Sequence, residues 1–240
     1  MAAPESLPAI AELDNMGWHA LRGPLREFAS VGPAGRALRM DKDIGYFCGL
    51  PSFEPEDWAD MEALIAGKGV ATFFQPDVPD PPSGWSEVLH GVTAQMVAGE
   101  MIDVAMVDTV TLGADDVADM VALTKATEPG PFLERTHLLG ERIGVPYIGV
   151  REHGELIAMA GVRLATQHWV EISAVCTAPK ARGRGLAAAL TAALVQDIRA
   201  GGREAMLHVA EANAPAISVY ERLGFFTRRM TGFRAFRPPR

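Results

Sequence analysis

One segment constrains the fold more than any other: AVCTAPKARGRGLAAALTAAL, in which an apolar run closes at Thr177, a glycine-containing turn follows, and an Ala/Leu-rich helix starts at Leu186. The first turn of a helix leaves backbone N–H groups unpaired and carries the positive end of the macrodipole. Glycines in the preceding turn let the backbone approach an anion and adopt conformations closed to other residues. Such a turn suits a phosphate or pyrophosphate, and Arg182 and Arg184 add positive charge at its mouth. It is not a Walker A loop, because no Lys-Ser or Lys-Thr follows the glycines, and it is not GxGxxG, because Leu-Ala-Ala follows Gly185. Taken alone, the turn is as readily a helix N-terminus with incidental arginines.

The flanking chain supplies the elements of an α/β (α+β) fold. Val104–Val110 is predicted as a strand, and a helix capped by Asp115 or Asp116 runs through Leu123. Tyr147–Arg151 and Leu156–Arg163 are strands joined by a tight turn at His153-Gly154-Glu155, and Trp169–Thr177 is a third. The helix Leu186–Ala200 stops at Gly201-Gly202, Ala205–Val209 is a strand, Ala214–Leu223 is a helix ended by Gly224, and the tail to about Phe236 is a last strand. The predicted order is β-α-(α)-β-β-β-α-β-α-β, a mixed central sheet flanked by helices.

Here the residues resemble a family. Arg182-Gly183-Arg184-Gly185-Leu186-Ala187 is similar to the acyl-CoA-binding motif [QR]-x-x-G-x-[GA] of the GNAT acetyltransferase superfamily, with Pro179 ahead of it; a second frame starts at Lys180. Asn213 through Phe225 (NAPAISVYERLGF) resembles the family's N-x-x-A-x-x-x-Y-x-x-x-G-F block. The 26 residues from Ala187 to Asn213 hold one helix and one strand, as that fold requires. The resemblance covers roughly residues 104–238. It implies acetyl-CoA as co-substrate, held by Val175, Cys176 and Thr177 of a splayed strand, by Arg182 to Ala187, and by Asn213, Ala216 and Tyr220. It implies Tyr220 facing the thioester sulfur as general acid, and direct transfer to a primary amine of a small molecule or peptide.

Glu171 shares a strand face with Ser173 and Val175 and is the leading base candidate. An exposed strand glutamate, an anchor for the substrate ammonium and a water chain are the alternatives. His208 lies on the strand beside the splayed one and reads foremost as a half-buried structural histidine. His137 falls in the stretch PFLERTHLLG, where acceptor-binding loops of the family occur. Cys176 is a small core residue rather than an acyl carrier.

The first hundred residues carry no motif of this kind. Glu56–Ala66 has helical spacing, Val70–Phe74 is a short strand, Gln75–Trp85 is a Pro/Gly-rich loop, and Val88–Val97 continues as apolar structure. The chain therefore divides into an N-terminal domain, 1–100, and an N-acetyltransferase domain, 104–240. The former is a degenerate repeat of the same fold, an acceptor-recognition domain or a dimerisation element.

Composition sets the outer limits. With 22 basic and 30 acidic residues the formal charge is −8, which argues against nucleic acid as partner. No apolar run reaches the ~18–20 residues of a membrane span, and MAAPESLPAI lacks the pattern of a signal peptide; a cytoplasmic location is expected. Cys48 and Cys176 lie far apart, and the six histidines show no metal-ligand spacing, so no metal is expected. A homodimer is compatible with all of this. Two alternatives to an acetyltransferase stay open: a non-catalytic acyl-CoA-binding sensor, and a transferase using a longer acyl-CoA.

Overall fold

The computed structural model describes residues 9–66 and 69–239. The reading of Met1 to Pro8 as free of a signal sequence lies outside the described residues.

The predicted series appears in order: β6 (Val110–Leu112), α4 (Val117–Thr127), α5 (Leu138–Ile143), β7 (Tyr147–Glu152), β8 (Glu155–Ala165), β9 (Trp169–Thr177), α6 (Leu186–Ala200), β10 (Glu204–Ala210), α7 (Ala214–Leu223) and β11 (Phe225–Arg237). Ahead of it come α1 (Ile10–Asp14), α2 (Met16–Arg22), β1 (Ala29–Val31), β2 (Leu38–Met40), β3 (Cys48–Gly49), α3 (Pro55–Ile65), β4 (Ala71–Gln75) and β5 (Ser86–Ala98). The eight-stranded sheet has the order β4-β11-β5-β10-β9-β8-β7-β6, and β1, β2 and β3 form a separate small sheet. Among the described residues, β9 and β10 pair in parallel and the other ladders of the large sheet are antiparallel. This is a mixed α/β sheet flanked by helices.

Strands from both sides of the expected boundary near residue 100 share this sheet, because β5 lies between β11 and β10. Its inner half, from Thr93 to Ala98, is buried, and Met96 and Val97 join the main core. A smaller core gathers α3 and β4 around an aromatic box, with Trp58 against Phe73, Trp85 and Phe236 at centroid distances of 5.5, 5.1 and 5.6 Å.

The expected strand Val104–Val110 is different. Pairing begins only at Val110, where β6 finds β7, and residues 101–109 have no regular structure. Valines alone make a β-prone run, but a strand needs a neighbouring edge. The β7–β8 hairpin turns through His153 and Gly154, both left-handed at φ 49° and 84°, as a two-residue turn of the I′ kind requires.

Candidate active site

The ladder between β9 and β10 holds only from Glu204↔Trp169 to Leu207↔Ile172. Two residues beyond, Ala174 takes a left-handed φ of 53°, and pairing with β8 jumps from Gly161↔Ser173 to Met159↔Cys176. This β-bulge re-aims the strand, so Ser173 to Thr177 run free of β10. A non-glycine residue in that region stores strain that the surrounding structure must hold.

Beside the opening lies a groove of about 860 Å³. Val175, Cys176 and Thr177 form its floor; Arg182, Gly183, Gly185, Leu186 and Ala187 form one end; Asn213 and Ala216 stand on the facing helix. Gly183 and Gly185 both have φ 77°, and a Cβ on either would meet nothing within 4 Å. Glycine is demanded there by backbone conformation and not by crowding. Gly185 is also the N-cap of the 15-residue α6 and supplies no side-chain cap, so the first-turn N–H groups face the groove end as donors for an anion. Asn213 caps α7 by accepting from the Ala216 N–H at 3.2 Å, with Pro215 in the first turn.

Two expected donor residues stand outside the groove lining. Arg184 is turned to an ion pair with Glu152. Tyr220 is buried, its ring 5.9 Å from that of Phe225, while its helix neighbours Ala216 and Val219 line the groove. Burial, and then the nearby Cys176, push the Tyr220 phenol up to about 12. Burial likewise pushes the Cys176 thiol up to about 11, which makes it a neutral thiol and a poor nucleophile.

Glu171 sits differently from the expectation of a base. It is fully buried, and Arg163 grips both carboxylate oxygens, with Nε donating to Oε2 at 3.1 Å and Nη2 to Oε1 at 2.5 Å. His208 Nδ1 lies 2.7 Å from Oε1. Burial works to raise the pKa of Glu171, but the charge of Arg163 and the bond from His208 outweigh it and hold the carboxyl at about 2. Both oxygens of this carboxylate are engaged by Arg163 and His208, and it lies outside the groove lining, so it presents no free acceptor to an amine there.

The pairing comes from a second bulge. Val162↔Ile172 is followed by Ala165↔Val170, so Arg163 and Leu164 stand opposite Glu171. The Arg163 guanidinium is held between the rings of Phe47 and Phe74 at 4.9 and 5.2 Å. Farther out, Arg228 donates to Gln95 Oε1 at 2.7 Å, which turns Gln95 Nε2 toward the Leu13 carbonyl at 2.9 Å and His208 Nε2 at 3.2 Å. His208 Nε2 therefore accepts, and the ring proton sits on Nδ1, directed at Glu171. The N-terminal arm closes the cluster: Glu12 accepts from Thr166 and His168, and Asp14 accepts from Arg228 at 2.7 Å. His208 lies 5.6 Å from the Phe74 ring with its nitrogens toward Glu171 and Gln95, outside the groove lining. His137 stands apart beside Tyr147 and Glu141, its Nδ1 2.9 Å from the Glu134 carbonyl.

The groove also has walls the sequence reading did not single out. Ile102 and Val104 come from the irregular segment after β5, Pro129 from the loop that follows α4, and Arg222 from α7. Arg222 belongs to the Asn213–Phe225 block and had a local signal; Ile102 and Val104 had none.

Comparisons with known proteins accord with this geometry. Residues 147–233 match the family of FR47-like proteins. A solved GNAT-family structure from Novosphingobium aromaticivorans is 33% identical, covers 95% of this chain and 99% of its own, and superposes with a TM-score of 0.82. A GCN5-related N-acetyltransferase from Kribbella flavida shares the fold at 18% identity, with 92% of this chain and 94% of that one covered and a TM-score of 0.61. Mycothiol acetyltransferase of Streptomyces scabiei is 35% identical over 129 residues, 48% of this chain and 41% of the relative. Its counterpart in Streptomyces avermitilis is 33% identical over 127 residues, with the same shares covered. The match thus spans less than half the length of these curated relatives. Among the described residues, no helix is long and apolar enough to cross a membrane.

Proposed function

The chain belongs to the GNAT family of acetyltransferases, and from that premise we propose that it moves the acetyl group of acetyl-CoA directly to a primary amine. The observation that carries this reading is the groove itself. A strand freed from its neighbour at Ile172 leads into a left-handed glycine turn and an uncapped helix N-terminus. A pyrophosphate at Gly183–Ala187 would accept from those N–H groups, and the pantetheine arm would run along Val175–Thr177 toward Asn213.

In the reaction the amine nitrogen bonds to the acetyl carbon, the C–S bond breaks, and the amine loses a proton. Tyr220, kept protonated by burial and next to Cys176 of the groove floor, donates to the departing thiolate as its hydroxyl turns into the groove, and recovers its proton from solvent. Glu171 does not take the amine proton in this scheme. It serves to anchor Arg163 and His208 beneath the site, and the amine is deprotonated by water or arrives neutral.

The locked state of Glu171 favours one second reading, an acyl-CoA-binding sensor without turnover. Thiol release from acetyl-CoA against a panel of amines separates the two. Turnover that falls in Tyr220→Phe supports the transferase; tight CoA binding with no turnover of any amine would sink it in favour of the sensor. Including longer acyl-CoAs in the panel tests the acyl chain, and acetyl-CoA is expected to be the best donor.

A further inference from the structure

The segment joining β5 to β6 crosses beside the donor groove and is tied down at one end. Gly99 donates to the Gly224 carbonyl at 3.0 Å and Ile102 to the Leu223 carbonyl at 3.1 Å. Gly224, at φ 104°, has no room for a Cβ, which would fall 2.1 Å from the Glu100 carbonyl oxygen, so the end of α7 and the start of this strap are built around each other. Beyond Ile102 the hold ceases. Among the described residues, no backbone bond or side-chain hydrogen bond fixes 103–109 until β6 pairs with β7. Met101, Val104 and Val107 pack on the core, whereas Ile102 is 53% exposed and Met106 62%.

Ile102 and Val104 line the groove, and Pro129, Val175, Val219 and Leu223 supply further apolar wall. The groove therefore has two chemistries: glycine amides and Arg182 at one end, and an apolar stretch flanked by the strap. A partly exposed isoleucine on such a wall is unfinished packing, since apolar area left in water is stabilised once covered.

We propose that the 102–107 strap is part of the donor site, with Ile102 and Val104 closing on the pantetheine arm of the bound CoA thioester. The inference rests on the donor reading above and extends it to residues outside the 147–233 stretch that matches the family. The occupant is chosen by the two chemistries: a ligand with a phosphorylated end and a long arm, whose gem-dimethyl, methylene and thioester groups can lie on the apolar wall while its amides face the backbone of the freed strand, spans them, and the nucleotide half alone would reach only the first.

Two measurements on the intact protein test this. Hydrogen exchange with and without saturating CoA should show amides 103–107 becoming protected. Calorimetry on the Ile102→Ser variant, changed at the half-exposed wall position, should show CoA binding about tenfold weaker, while the nucleotide half, adenosine 3′-phosphate 5′-diphosphate, binds within about twofold of wild type and Tm is retained. No added protection in the wild-type strap, or equal loss of affinity for CoA and for the bare nucleotide, overturns the strap's role while leaving the donor site standing. A wild-type protein that binds neither compound overturns the donor reading and the strap with it.

Discussion

The donor groove and the Glu171 cluster are built on the same strand, to either side of the bulge at Ala174, and they are opposites. The groove is unfinished as a protein surface. Its glycines face open space, its helix N-terminus has no side-chain cap, and Ile102 stands in its wall half in water. The cluster is finished: both oxygens of Glu171, both nitrogens of His208 and both ends of the Gln95 amide have partners inside the protein. A site that must receive a ligand keeps donors unspent. A site that holds the N-terminal arm to the sheet spends them all, because an unpaired buried polar group costs free energy. A glutamate on the central strand of this fold is therefore not a base by position alone; its partners decide.

The largest expected effect breaks the finished side. Glu171→Ala leaves Arg163 and His208 without their anion, and loss of one partner of a buried pair costs about 3–5 kcal/mol. Denaturant unfolding reads it directly, and a loss under about 1 kcal/mol would mean the cluster is not what joins arm to sheet. The same group sets a pH dependence. Its folded pKa lies below the ordinary 4.5, at about 2, so its contribution is fully present above about pH 4.5 and is lost as pH falls toward 2. Stability followed from pH 6 to pH 3 should decline more steeply in wild type than in Glu171→Gln; parallel curves would contradict the assignment.

The next effects probe the unfinished side. Tyr220→Phe should lower acetyl transfer by about 10²-fold, with CoA affinity changed little. An unchanged rate would show that the thiolate needs no acid here. Asn213→Ala removes the cap of α7 and should lower stability by about 1 kcal/mol, with a modest rise in KM for acetyl-CoA. If stability falls but KM does not move, Asn213 is a cap alone.

What could be read in the sequence follows the same division. The α6 and α7 boundaries, the turn at Gly183–Gly185 and the Asn213 cap are local: left-handed glycines and a capping side chain carry their signal within a few residues. The ladder that places β5 between β11 and β10 joins residues more than a hundred apart, as Phe225↔Ala98 shows, and no nearby residue announces it. The partner of Glu171 was hidden for a related reason. A bulge in β8 sets Arg163 opposite it, and simple alternation along a strand does not reveal a bulge. Val104–Val110 misled by composition, since its valines serve as packing for an irregular strap and only Val110 enters a ladder.

The central claim is that the turn at Gly183 and Gly185 holds the pyrophosphate of CoA. Calorimetric titration of CoA into wild type and into Gly183→Val/Gly185→Val tests it most directly. Valine is strained at φ 77° and pulls the amides from their positions, so wild type should bind and the variant should bind at least about 100-fold more weakly, a loss of about 2.7 kcal/mol. Equal affinity in a folded variant, or no binding by wild type, would contradict the account.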